Sequence, residues 1–207
     1  LQCGSFCFVF RQPNPARRST SPFNPSDVTV TDLRPKVCWM LVADIMGSTR
    51  MSQEMEHQAY CDLMDRWATS MRAIIEGEKG IVNRFAGDMV LAYWVDRAGR
   101  ERQIVAALRE MWALREGRPP RFRTLVHFDR LIFGGAARMG EESLSGPGIN
   151  FLFKAERIAS RTGEIDLFTQ PAAERAAAAG VFSDAGAYEV EGFNGQHTLY
   201  RIDRAST

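Results

Sequence analysis

The chain has 207 residues, 45% hydrophobic and 25% charged, which suits one globular domain able to bury a substantial core. Its 26 Lys and Arg against 25 Asp and Glu leave a net charge of +1, which argues against a nucleic-acid footprint or a membrane-attracted surface and leaves any polyanion to local recognition. No apolar run approaches the roughly 20 residues that span a bilayer, no signal-peptide pattern opens the chain, and its four cysteines form no CxxC framework, so a reducing cytoplasm is the expected setting.

Cys3 and Cys7 lack a second pair or a nearby histidine to complete a zinc site and read as free thiols. Phe6 to Phe10 reads either as an edge strand or as the tail of a preceding domain. From Gln12 to Pro35 five prolines, several Ser, Thr and Asn, and Arg17-Arg18 resist regular structure. Residues 1–35 are therefore expected to form an irregular extension or linker, and residues 36–204 the folded domain. The first residue is Leu rather than Met, which leaves room for an upstream sensor or membrane module.

Val37 to Ala43 is an unbroken apolar run ending in Asp44 and the turn-forming Gly47-Ser48-Thr49, the pattern of a buried strand that delivers a carboxylate at its end. Met51, Met55, Leu63, Trp67, Met71 and Ile75 then fall on one stripe of a long helix that Gly77 or Gly80 stops. Ile81 to Ala86 and Met89 to Val95 flank Gly87-Asp88, a tight hairpin with Asp88 at its tip. A second amphipathic helix, Arg100 to Arg115, buries Ile104, Ala107, Leu108, Met111 and Trp112 before Gly117 and Pro119-Pro120 break it.

Phe122 to Phe128 and Leu131 to Phe133 read as a strand pair, Gly134 to Gly148 as a flexible loop, and Ile149 to Ser160 as a helix. A strand at Leu167 to Thr169, an Ala-rich helix from Pro171 to Ala179, and strands near Tyr188 to Glu191 and Thr198 to Ile202 close the chain. This order predicts an α+β, ferredoxin-like βαββαβ sandwich, its mainly antiparallel sheet covered by helices on one face and extended by carboxy-terminal additions.

Asp44 at a strand end and Asp88 at a hairpin tip become neighbours in such a unit. Paired carboxylates suit magnesium, which takes oxygen ligands and keeps positions open for phosphates. For Asp88 alone, plain turn chemistry explains the residue as well. Ile45, Met46, Gly47, Ser48 and Thr49 lead from strand to helix with small residues whose N–H groups suit an anion. They lack the Gly-Lys-Ser/Thr of a P-loop, which disfavours an ordinary ATPase or kinase.

Val42-Ala43-Asp44-Ile45-Met46-Gly47-Ser48-Thr49 resembles the first metal motif of the class III adenylate and guanylate cyclases, and Phe85-Ala86-Gly87-Asp88-Met89-Val90-Leu91-Ala92 resembles the second. Gly146-Pro147-Gly148-Ile149-Asn150 is similar to the third signature, and Glu191-Gly192-Phe193 to Tyr200 to the carboxy-terminal end. The resemblance runs from about Lys36 to Ile202. It implies a homodimer, head to tail, in which Asp44, Asp88 and the Ile45 carbonyl bind two Mg2+ or Mn2+ ions. Asn150 of the opposite protomer would orient the ribose, while the 3′-hydroxyl of a nucleoside triphosphate attacks the α-phosphorus and releases pyrophosphate.

Four residues after Asn150 the family usually carries an arginine for the transition state, and this chain carries Lys154, which keeps the charge but loses the planar fork. Arg157, one turn further, reads as a surface partner of Glu156 or Glu164. The two base-reading positions are Arg84 and Ser143, where relatives have Lys with Asp or Thr for ATP and Glu with Cys for GTP. An arginine offers donors only, which suits adenine and leaves the guanine N1–H without a carboxylate. ATP is thus the expected substrate, with a UTP or CTP cyclase and a non-catalytic nucleotide- or partner-binding module as alternatives. Asp129 stands where a glycine is common, and Phe193 and Asn194 replace a phosphate-binding lysine. His57, His127 and His197 receive no role.

Overall fold

The computed structural model describes residues 34–134 and 144–206. Cys3, Cys7, the Phe6 to Phe10 stretch, residues 12–33 of the linker, and Ser143 lie outside the described residues. The strand β1 (Arg34–Ile45) begins two residues before the expected linker ends.

β1 is the centre of the sheet. It pairs antiparallel with β3 (Met89–Val95) over Cys38 to Asp44 and with β4 (Phe122–Phe133) along its whole length. With β2 (Ile81–Ala86), these strands stand in the order β2-β3-β1-β4, the ferredoxin-like arrangement the sequence predicts. β6 (Asp166–Thr169), β8 (Gln196–Ile202) and β7 (Phe182–Glu189) extend the sheet beyond β4. Only the β4–β6 pair is parallel among the described residues. No described helix is long and apolar enough to cross a membrane.

The unbroken apolar run of β1 has a direct structural cause. Trp39, Leu41, Ala43 and Ile45 point into one core, whereas Cys38, Met40 and Val42 point into another on the opposite face. α2 (His57–Gly77), α3 (Arg100–Gly117) and α5 (Gln170–Ala176) close the first core, and α4 (Pro147–Thr162) closes the second. Helices therefore cover both faces rather than one. Each fully buried side chain in these layers, such as Trp39, Leu41 or Phe168, contributes on the order of 1.5–3 kcal/mol.

Three local expectations change. The long first helix is two helices, α1 (Ser48–Glu54) and α2, because Met55 is extended and Glu56 caps α2 by accepting the Ala59 N–H at 3.0 Å. Phe122 to Phe133 is one strand, since Asp129 and Arg130 stay in register with Cys38 and Val37 while their side chains reach outward. The loop expected to reach Gly148 ends early: β5 (Leu144–Ser145) pairs with β4 and α4 starts at Pro147.

Behind the first hairpin, Gly80 fills a place with no room for a side chain. A Cβ there would lie 2.4 Å from the Trp94 ring, whose Nε1–H is already fixed on the Glu78 carbonyl at 3.0 Å. Gly80→Ala is expected to lose about 1–3 kcal/mol of unfolding free energy in a urea titration. An unchanged midpoint would mean that the Trp94 ring moves aside at no cost.

Candidate active site

Asp44 and Asp88 meet because two turns are fastened together. β1 sits between β3 and β4, so its last residues are held from both sides, with Asp44 opposite Met89 on one neighbour and Arg123 on the other. At the β2–β3 turn Gly87 takes φ 63°, a conformation glycine adopts at little cost, and this places Asp88 beside the β1 end. The Ile45 N–H donates to the Asp88 carbonyl at 3.0 Å, and the Met46 N–H to the Arg121 carbonyl at 2.9 Å. Ser48, buried at the start of α1, donates its hydroxyl to the Asp88 carboxylate.

These bonds narrow the expected anion opening from Ile45 to Thr49, because two of its amides are used within the fold and the Ser48 hydroxyl serves Asp88. Gly47, at φ 71°, turns the chain into α1, and Thr49 is exposed.

Asp44 is a strained carboxylate. Its pKa is pushed up to about 6, first by burial and then by the negative charges of Glu156 and Asp88, with Arg123 pulling the other way. Arg123 Nε lies 3.7 Å from Asp44 Oδ2, an ion pair without a hydrogen bond. Arg123 and Glu156 are the charged neighbours that sequence reasoning missed. Arg123 sits inside a fully buried stretch of β4, and Glu156 falls on the apolar stripe of α4 with Ile149, Leu152 and Ala159; both misplacements are readable as signals.

Asn150 and Lys154 lie one turn apart on α4 and line a cavity of about 330 Å³ with Arg157, Glu191 and Phe193. Lys154 Nζ is 2.8 Å from Glu191, and Arg157 reaches the same carboxylate at 3.8 Å. Arg157 thus reaches Glu191 in the β7–β8 turn; of the two partners expected for it, Glu164 binds Arg201 instead, while Glu156 feels the Arg157 charge. An adjoining open cleft of about 950 Å³ is lined by Asp44, Lys154, Glu156 and the turn from Glu189 to Gln196. Asp44 and Lys154 of one chain therefore face common space, while Asn150 lies outside that cleft.

Arg84 is exposed on β2 and lines neither cavity; Ser143 lies outside the described residues. Phe193 packs edge-on against Phe151, which explains an aromatic residue at that turn. His127 stacks on Phe151 and shares a 2.8 Å hydrogen bond with Thr169. Among the described residues no group of three or more His, Cys, Asp or Glu is arranged to cage a metal, so Asp44 and Asp88 would need carbonyl, water or phosphate oxygens to complete a coordination shell.

No protein-family model matches the sequence, and no curated protein sequence matches it. Solved structures do. The adenylyl cyclase CyaB from P. aeruginosa superposes with a TM-score of 0.71 at 20% identity, covering 83% of this chain and 96% of that one. A bacterial light-regulated adenylyl cyclase gives 0.69 at 18% identity, over 89% of this chain and 55% of that one. The guanylate cyclase domain of RhGC from Catenaria anguillulae, solved with GTP, gives 0.71 at 13% identity, over 82% and 98%. At such identities the likeness establishes the fold: an α+β sheet sandwich shared with adenylyl and guanylyl cyclase catalytic domains.

The raised pKa of Asp44 carries a sign. The folded state holds this proton more tightly than the unfolded chain, whose carboxyl titrates near 3.8, so stability is lost as pH rises from there through about 6. Above that window the ionised group costs the fold on the order of 2–3 kcal/mol. Asp44→Asn is expected to stabilise the metal-free protein by about 2 kcal/mol at pH 8, the gain vanishing near pH 4. Urea unfolding at both pH values checks it, and a less stable variant at pH 8 would contradict the strain.

Proposed function

We propose that this chain is a class III nucleotidyl cyclase catalytic domain that converts ATP to 3′,5′-cyclic AMP and pyrophosphate. The observation that carries the proposal is the tethering of Asp44 and Asp88 at the end of the central strand of this fold.

The donor set suits a hard divalent cation. Asp44, Asp88 and the Ile45 carbonyl offer oxygen alone, and the burial and crowding that raise the Asp44 pKa are what a bound cation relieves. Mg2+ or Mn2+, two per site, would supply positive charge to the phosphates and would acidify the ribose 3′-hydroxyl. The protein's own groups then divide the remaining work. Asp44, Asp88 and the Ile45 carbonyl would hold the cations against which the triphosphate rests. Asn150 orients the ribose, so that the 3′-oxygen lies in line with the α-phosphorus. Lys154 meets the negative charge that develops there, as a point charge rather than a fork.

A head-to-tail homodimer belongs to the same proposal. Its support is the exposure of Asn150 on α4, outside the cleft that its own Asp44 lines, which suits action on a nucleotide held by a second copy. ATP is preferred over GTP because Arg84, the base-reading position of the family resemblance, offers donors and no acceptor. An upstream sensor module, joined through residues 1–35, and a cytoplasmic setting complete this reading.

One observation favours a second reading. Lys154 is occupied by Glu191 within the chain, as a residue relieved of catalysis would be, which suits a nucleotide-binding module without turnover. Incubation of the purified chain with Mn2+ and each of ATP, GTP, UTP and CTP, followed by mass spectrometry, separates the two. Cyclic AMP is the expected product, and it should be absent with Asp44→Ala. A cyclic pyrimidine would keep the reaction and change the substrate; no cyclic product from a confirmed dimer would leave the binding module. Lys154→Arg should raise the turnover rate severalfold, whereas a fall would displace Lys154 from the reacting phosphate.

A further inference from the structure

The β7–β8 turn holds a carboxylate against α4. Val190 is buried in the core that α4 closes, the Phe193 N–H donates to the Val190 carbonyl at 2.9 Å, and the Phe193 ring packs edge-on against Phe151 of α4. Glu191 lies between these two anchors, so the backbone presents it to the helix while its side chain stays 74% exposed.

It meets a pair of cations on α4. Lys154 Nζ lies 2.8 Å from Glu191 Oε2, and Arg157 Nη1 lies 3.8 Å from the same oxygen. Residues three apart on a helix share a face, so both cations are carried toward one point. Asn150, one turn before Lys154, lines the same cavity. Two cations against one acid leave the lining of that cavity at +1, and the turn from Glu189 to Gln196 adds no Lys or Arg. An anion with more charge and more oxygens than a carboxylate suits this position better. A phosphoryl group can give one oxygen to the lysine as to a point charge and others to the planar arginine fork.

We propose that Lys154 and Arg157 form one phosphoryl-binding site on α4, which Glu191 fills in the resting chain and which the polyphosphate of the substrate takes over. This rests on the cyclase reading for the owner of the phosphate, with Asn150 in the same cavity as the ribose residue. Arg157 supplies the planar fork that Lys154 lacks, and Glu191 is a built-in competitor for both. The exchange breaks exposed ion pairs, which are worth little in water, and makes no covalent bond.

Isothermal titration of the full 207-residue chain with inorganic tripolyphosphate, in EDTA at pH 8, tests the site without metal or turnover. Glu191→Gln keeps the size, removes the competing charge, and should bind severalfold more tightly than the wild type. Glu189→Gln removes the same charge from the same turn and should bind as the wild type does. Arg157→Gln should weaken binding roughly tenfold, the order of one lost charge-assisted hydrogen bond, and Arg157→Lys should restore part of it. Arg109→Gln, the same charge change on α3 across the sheet, should change nothing. Glu191 and Arg157 are both largely exposed, so these variants keep the fold. No gain in Glu191→Gln, or an equal gain in Glu189→Gln, overturns the proposal. So does Arg157→Gln binding like the wild type, or losing no more than Arg109→Gln. The cyclase reading is decided separately, by cyclic product from the wild type with Mn2+. Product without the Glu191→Gln gain keeps the enzyme and sinks this site, whereas the gain without product keeps the site and defeats the enzyme.

Discussion

The hydrogen bond from the Ile45 N–H to the Asp88 carbonyl is the constraint on which the site depends. It joins the end of a strand buried on both faces to the tip of a hairpin one strand away. A loop could not hold two carboxylates close against their own repulsion. A strand fixed by β3 and β4 can, because displacing Asp44 would break ladder bonds on both sides and disturb two cores at once. The rigidity of β1 is therefore what makes the strain on Asp44 sustainable, and on the proposed reading that strain is what a bound cation would relieve.

This account also orders the elements by purpose. The α2–α3 face is packed with Trp39, Trp67, Trp94 and Trp112, and supplies the rigidity. The α4 face carries the charges. Even-numbered residues of β1 point toward α4, so Asp44 follows Cys38, Met40 and Val42 onto that side, and Arg123 meets it from β4 by the same register. A one-residue slip of β1 would bury Asp44 among the tryptophans and expose Ile45 to the charged side. The two cores thus specify which face the carboxylate takes.

Most of the architecture was readable from patterns with a physical cause. The Gly-Asp hairpin, the apolar strand before Asp44 and the stripe of α3 each allow few alternatives, and the chain folds as they imply. Readings that rested on a single local cue fared worse. Asp129-Arg130 looks like a turn, yet β1 extends far enough to pair with it; Met55 fits a helical stripe, yet Glu56 starts a new helix there. Arg123 and Glu156 were missed for a different reason. Each is ordinary in its own segment, and their meaning comes from a contact between β4 and α4 that no local period encodes, although an arginine in a buried strand and a glutamate on an apolar stripe were both visible anomalies.

The two halves of the site differ in how firmly they are held, and that difference bears on the chemistry. Arg123 is buried and Glu156 half-buried, so their charges reach Asp44 with less screening than a surface pair. Glu191 is largely exposed, and its bond to Lys154 is the kind of surface pair worth little in water. A triphosphate entering the cleft brings several charges against that single carboxylate. On the proposed reading it would take Lys154 from Glu191 at small cost. On that reading the proposed metal half would be preset by the fold, and the lysine half would be the part that substrate itself must complete.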